Sequence, residues 1–259
     1  MRNEIELLAF YSSLESLYVL EDAGIDGVII DWETKGKDHR QHFFNTQITK
    51  HSLADLKLIS KFTSAKITCR VNGQAFLNKR EILDAIEGGA DEVLIPMVKT
   101  LEEVDFVFQV VREKAKVALM LETEEALLLA DQLDKYPVSK FFVGLNDLSI
   151  QRNSRNIFKP ISDGTITELR PKITKPFGMA GLTHPMEGNP VPCHRLIKEM
   201  VRFNCTFAFL RRSFYRDLEK YNAKEILKAI RLQFEKETNS IYLNEATSEE
   251  KKILNKALI

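Results

Sequence analysis

Phe141-Phe142-Val143-Gly144-Leu145-Asn146-Asp147-Leu148-Ser149 begins as an apolar run and hands over to polar residues at Asp147. Earlier in the chain Leu119-Met120-Leu121-Glu122-Thr123 does the same at Glu122. Read as two parallel strands of one sheet, linked by a helix over residues 123–133, the two runs bring Glu122 and Asp147 out at one edge. Paired acidic oxygens suit a hard divalent cation, and ligands of α/β proteins gather beyond the carboxyl ends of the strands. Taken alone, either carboxylate reads equally as a helix cap or a solvated turn residue.

Working outward, the same unit recurs. Residues 5–10 form an apolar run, Ser12 or Ser13 can cap a helix carrying Leu14, Leu17, Tyr18 and Leu20, and Gly24 ends it. Gly27-Val28-Ile29-Ile30-Asp31 is the buried type of parallel strand, and it ends in Asp31-Trp32-Glu33, a third acidic strand end. Residues 34–47 are polar and locally basic, which predicts a long loop or short helix. Leu53, Leu56 and Ile59 mark a helix, and residues 66–71 a third strand with Arg70 at its carboxyl end, where a guanidinium can fork onto a carboxylate. Further strands are expected at 92–95, 117–121, 140–143, 177–180 and 206–210. Asn78 with Glu81 and Thr100 with Glu103 predict capping boxes. Residues 146–176 predict an elaborate loop with a short helix at 165–172, the kind of long loop that carries function. Helices follow at 192–203 and 222–234, then a polar gap at 238–240 and one more helix at 248–257.

Eight strand-then-helix units predict an α/β fold, a (β/α)8 TIM barrel with an additional C-terminal helical segment. A single domain over 1–259 is expected, the barrel at about 5–236 and the extension at 237–259, since no repeat or Gly/Pro-rich linker divides the chain.

Composition narrows the function classes. Lys plus Arg and Asp plus Glu number 37 each, so no global field favours nucleic acid or an anionic membrane. Cys69, Cys193 and Cys205 are odd in number, widely spaced and without a CxxC pair, which reads as buried thiols in a reducing compartment. No apolar run reaches the roughly 18 residues of a membrane helix, and residues 1–6 lack a signal-peptide core. A cytoplasmic protein with a small-molecule partner is expected. No Gly-x-Gly-x-x-Gly or Walker-type sequence is present, against dinucleotide or P-loop nucleotide binding.

Lined up, the strand ends resemble the HpcH/HpaI aldolase and citrate lyase family, whose barrels bind pyruvate-like enolates on a divalent metal. Asp31-Trp32-Glu33 is similar to the family's acidic segment after strand two, Arg70 to its strand-three arginine, and Gly89-Ala90-Asp91-Glu92-Val93-Leu94-Ile95-Pro96-Met97-Val98 to its strand-four segment. Glu122 in Leu121-Glu122-Thr123 and Asp147 in Gly144-Leu145-Asn146-Asp147-Leu148-Ser149 are similar to its metal ligands. The resemblance spans about residues 5–215. It implies a carbon–carbon lyase acting on a 2-keto acid or its aldol adduct, Mg2+ or Mn2+ on Glu122 and Asp147, Arg70 stabilising the enolate, and a homo-oligomer. Asp31 and Glu33 join Arg70 in the catalytic set, and Gly144, Asn146 and Arg211 are assigned to substrate binding. Arg211 and Arg212 can hold a distal carboxylate or phosphate, unless one of them pairs with Asp217 or Glu219.

The chain departs from the family at three places. Thr34 stands where the aldolases carry a proton-transferring histidine, which leaves His39, His42 and His184 as candidate bases, with His51 and His194 read as structural. Met120 replaces a glutamine, and the segments 177–185 and 209–214 have no obvious counterpart in the aldolases. Two other readings follow: a citrate-lyase-like acyl-CoA lyase, and an inactive barrel that binds a ligand or serves as a scaffold.

Overall fold

Gly27–Asp31, Glu92–Ile95, Lys140–Val143 and Phe207–Leu210 are buried at every position, as a parallel strand covered on both faces must be. The computed structural model describes residues 4–34 and 51–256, with the side chains of Leu77 and of 242–256 outside that description. Eight strands, β1 (Glu6–Phe10), β2 (Gly27–Asp31), β3 (Lys66–Arg70), β4 (Glu92–Ile95), β5 (Lys116–Leu121), β6 (Lys140–Val143), β7 (Phe177–Leu182) and β8 (Phe207–Leu210), form a closed parallel barrel in sequence order. β1 pairs with both β2 and β8, which closes the ring. The (β/α)8 architecture is as the alternating pattern predicts.

Two apolar layers hold it. Leu8, Ile29, Leu94, Ala118, Met120, Phe142, Phe207 and Phe209 fill the barrel interior, where the Phe142 and Phe209 rings stack at 3.8 Å. The outward-facing residues of the strands pack against the surrounding helices in a second, larger core. Each buried Phe or Leu side chain contributes about 1.5–3 kcal/mol relative to exposure.

The helices are α1 (Leu14–Asp22), α2 (Leu53–Ile59), α3 (Lys79–Glu87), α4 (Leu101–Val111), α5 (Glu124–Leu128), α6 (Ala130–Leu133), α7 (Leu145–Gln151), α8 (Lys159–Ser162), α9 (Thr165–Leu169), α10 (Cys193–Arg202), α11 (Phe214–Asp217) and α12 (Ala223–Lys256). Ser13, Ser52 and Thr100 close capping boxes and Thr123 caps α5. Three expectations need correction. The Asn78 side chain does not cap α3, and Glu81 reaches instead to the Asn72 backbone N–H (2.8 Å). The helix after β5 is two short pieces, α5 and α6. The polar stretch at 238–240 does not interrupt the C-terminal helix, which runs unbroken for 34 residues. Between 235 and 256 the chain has neither Gly nor Pro, and polarity alone does not stop a helix. Ala223, Ile226, Leu227, Ile230 and Phe234 lay its first turns against α1 and α10. No helix among the described residues is long and apolar enough to cross a membrane.

Candidate active site

The register that pairs Asp31 with Arg70 across β2 and β3 puts both side chains on the same face of the sheet. The Arg70 guanidinium then grips Asp31 with two parallel bonds, Nε to Oδ1 at 2.9 Å and Nη2 to Oδ2 at 2.7 Å. Its Nη1 lies 3.2 Å from Glu33 Oε2 and 3.8 Å from Met120 Sδ. All three charged residues are buried. Burial pulls the Arg70 guanidinium down, but the charges of Asp31 and Glu33 outweigh it and hold its pKa above the ordinary arginine value. Arg212, at the end of β8, donates through Nη2 to the same Asp31 Oδ2, and Phe10 lies under both guanidinium groups at 5.5 and 4.8 Å. Arg212 thus pairs with Asp31 and not with the alternative partner Asp217, whose carboxylate accepts the His184 backbone N–H. Burial, with Arg70 nearby, lowers the pKa of Arg212 against the opposing pull of Asp31.

Glu122 follows β5 and is 1% exposed. One carboxylate oxygen accepts the Met97 backbone N–H at 2.9 Å. The other faces Gly144 so closely that a Cβ there would lie 2.1 Å from it, so glycine is required by the neighbouring carboxylate. Asp147 sits in the first turn of α7, where the amino end of a helix favours negative charge. Burial pushes the Glu122 carboxyl well above the usual range, and the charges of Asp147 and Glu33 push it further, with Arg70 and the Met97 N–H opposing. Two carboxylates that act on each other's charge, one of them in a cradle shaped by a missing Cβ, are a donor set suited to a hard divalent cation, which commonly takes one or two carboxylates and fills its other positions with water or substrate oxygen. Among the described residues no group of three His, Cys, Asp or Glu side chains is arranged to hold a metal.

A second tier of residues, not singled out in the sequence, fixes the acidic segment after β2. Buried Asn72 accepts the Thr34 N–H at 2.9 Å and donates to Trp32 O at 2.9 Å and Glu81 Oε1 at 3.0 Å. Glu33 is thereby held between two anchored neighbours. The only signal for Asn72 was its place just past Arg70. His51, read as structural, lies beside Asp31: its Nδ1 accepts the Asp31 N–H at 3.0 Å, which puts the ring proton on Nε2, and burial lowers its pKa. A cavity of about 430 Å³ is lined by Trp32, His51, Asn72 and Glu81.

Of the sequence-predicted site residues, Asp31, Glu33 and Arg70 touch one another, and Glu122 with Gly144 and Asp147 adjoins them. Asn146 is half-buried in the first turn of α7. His184 stacks on Tyr221 with ring centroids 4.1 Å apart, while Arg211 stands at the end of β8 beside the loop after β7. His39 and His42 lie outside the described residues. A larger groove of about 1160 Å³, lined by Phe158, Ile161, His194, Arg195 and Glu237 among others, lies away from the carboxylates.

No protein-family model matches the chain, and no curated protein matches it. Solved structures do. A citrate lyase from Burkholderia xenovorans LB400 superposes with a TM-score of 0.60 at 13% identity, over 90% of this chain and 77% of that one. The citrate synthase SbnG gives 0.61 at 19% identity, over 87% of this chain and 94% of its own. RipC from Yersinia pestis gives 0.56 at 13% identity, over 89% and 94%. The fold is the one these barrels share.

Proposed function

We propose that the chain is a carbon–carbon lyase of the HpcH/HpaI aldolase and citrate lyase kind, acting on a 2-keto acid or its aldol adduct. The observation that carries this reading is the buried Glu122 carboxylate, cradled at Gly144 next to Asp147, with the Arg70 guanidinium fixed beside it. Glu122 and Asp147 would hold Mg2+ or Mn2+, which supplies Lewis-acid polarisation of a carbonyl oxygen. Asp31, Glu33, Glu122 and Asp147 outnumber the guanidiniums of Arg70 and Arg212 beside them, and a divalent cation would favour the ionised form of Glu122, whose carboxyl is otherwise pushed upward.

The residues of the chain divide the remaining work. Cleaving a bond beside a ketone leaves charge on the ketone oxygen, and Arg70 is a cation already oriented by Asp31 and Glu33, so no reorganisation accompanies its response. Gly144 and Asn146 border the carboxylate pair and are assigned to the substrate's own carboxylate. Phe10, Phe142, Phe209 and Met120 floor the site and exclude water from below. Proton transfer rests with a histidine, His184 or one of His39 and His42.

Incubating the protein with Mn2+ and 4-hydroxy-2-keto acids, with pyruvate release followed by a coupled assay, tests the reading. Release that stops in Arg70→Ala and partly survives in Arg70→Lys supports it, because an ammonium keeps the charge and loses the fork. Absence of both turnover and binding of pyruvate or oxalate would reject it. The names of two neighbours, a citrate lyase and a citrate synthase, favour a second reading in which the acidified carbon belongs to an acyl-CoA; binding of CoA in place of pyruvate selects it. Metal binding without turnover of either class selects the inactive, ligand-binding barrel. Self-association is proposed as well, and light scattering at micromolar concentration checks it.

A further inference from the structure

Three polar side chains at the carboxyl ends of β7 and β8 carry buried donors with no acceptor among the described residues: Thr183 Oγ1, Arg211 Nε and Nη2, and Arg212 Nε. Thr183 follows β7 and is 3% exposed, while the two arginines follow β8. A backbone bond from the Arg211 N–H to Leu182 O (2.9 Å) ties the two strand ends together, so all three residues stand on one stretch of the barrel rim. Cys193 Sγ occupies the Thr183 backbone, facing its N–H at 3.4 Å and its carbonyl at 3.2 Å. The Thr183 hydroxyl is not drawn into that exchange.

The two arginine forks of this barrel can be set side by side. Nε and Nη2 of Arg70 are the atoms that grip Asp31, and the same two atoms of Arg211 have no such acceptor. Charged donors kept buried without an acceptor are expensive, and a planar fork fits the paired oxygens of a carboxylate or phosphate. The surrounding backbone is built close to this fork. A Cβ at Gly181 would come 3.0 Å from Arg211 Cβ, and one at Gly188, where φ is +111°, would come 2.7 Å from Val191 O and 3.5 Å from Arg211 Nη2. Arg211 nevertheless remains half-buried, not sealed. The loops after strands seven and eight are also where barrels of this architecture frequently seat phosphate.

We infer that the rim between β7 and β8 binds an oxyanion, a phosphate or a carboxylate group, through the Arg211 fork and the Thr183 hydroxyl. Resting on the lyase reading, that oxyanion is a second charged group of the substrate, distal to the keto-acid end at Glu122 and Asp147. The substrate class is then a keto acid or adduct with an additional phosphate or carboxylate.

Calorimetric titration of the full chain with inorganic phosphate and, separately, with succinate tests the inference. At least one of the two binds the wild type; phosphate alone marks a phosphorylated substrate, and succinate alone a dicarboxylic one. Arg211→Met weakens that binding tenfold or more and Thr183→Val several-fold, while oxalate with Mn2+ binds both variants as it binds the wild type. Absence of both anions from the wild type overturns the site. So does wild-type affinity in Arg211→Met, even with a lowered Tm, since that result makes Arg211 a brace for the loop after β7. Should Arg211→Met fail to fold, the near-isosteric Thr183→Val decides, and unchanged affinity there overturns the site. A wild type that binds phosphate or succinate, yet not oxalate with Mn2+, would leave the rim site standing and remove the lyase reading.

Discussion

The two ends of the barrel treat their charged side chains in opposite ways. At the amino end, Lys140 reaches both Glu6 oxygens at 3.1 and 3.2 Å and Glu92 at 3.6 Å, and its ammonium lies 5.0 Å from the Phe207 ring centroid. Lys66 adds a second cation 3.6 Å from Glu6. Thr68 and Ser139 donate to the two Glu92 oxygens at 3.0 and 2.7 Å. Two cations meet two anions there, and Glu92 has a partner at each oxygen. At the carboxyl end, Asp31, Glu33, Glu122 and Asp147 crowd around the guanidiniums of Arg70 and Arg212, and burial with mutual repulsion drives the Glu122 carboxyl upward. A neutral, bonded network closes the barrel at one end, and crowded carboxylates gather at the other. Barrel enzymes place chemistry at the carboxyl ends of the strands and stability at the other face.

Substitutions at each end separate these roles. The largest effect is expected from Arg70→Ala, which removes the cation beside Glu33 and leaves Asp31 to Arg212 alone, at a cost of about 3 to 5 kcal/mol of stability. If any lyase activity survives folding, its barrier rises by a further amount on the order of 2 to 4 kcal/mol. Thermal melting and turnover on one preparation read both numbers; an early-melting protein with normal turnover would assign Arg70 to the scaffold alone. Lys140→Met comes next, at about 2 to 3 kcal/mol, below the full cost of breaking a buried pair because Glu6 is partly exposed. Divalent-metal affinity should not change in it, and a large loss there would erase the distinction between the two ends.

Gly144→Ala tests the cradle. Its methyl group meets Glu122, not backbone, so the expected outcome is a displaced carboxylate, with overpacking worth about 1 to 3 kcal/mol and metal affinity reduced tenfold or more by calorimetry. Unaltered affinity would show that Glu122 needs no such approach. The smallest effect is expected for Asn72→Ala, which removes the bracket on Trp32 and Thr34 at about 1 to 2 kcal/mol, seen as a Tm lower by a few degrees. It should weaken turnover through Glu33 without touching the metal.

Much of this was legible in the chain because strands buried on both faces announce themselves as unbroken apolar runs, as Gly27–Asp31 and Lys140–Val143 do. The acidic residues that follow those runs stand at the carboxyl ends of the strands. What stayed hidden depends on tertiary approach. The bond from Arg212 to Asp31 joins residues 181 positions apart, and no local pattern encodes it. Gly144 reads as an ordinary turn glycine until Glu122 is placed against it. Glu81 three residues after Asn78 satisfies the pattern of a capping box, yet the Asn72 amide wins that carboxylate because it lies at the buried end of β3. Helix α12 misled in the other direction: a polar stretch resembled a break where no residue forbids helix.

The central proposal is that Glu122 and Asp147 form a metal-binding pair at the carboxyl end of the barrel. Calorimetric titration of Mn2+ into the wild type, Asp147→Asn and Lys140→Met tests it most directly. One ion per chain should bind the wild type and Lys140→Met alike, and Asp147→Asn should bind at least a hundredfold more weakly, about 2.7 kcal/mol, with an unchanged melting temperature. Equal affinity in wild type and Asp147→Asn would contradict the account.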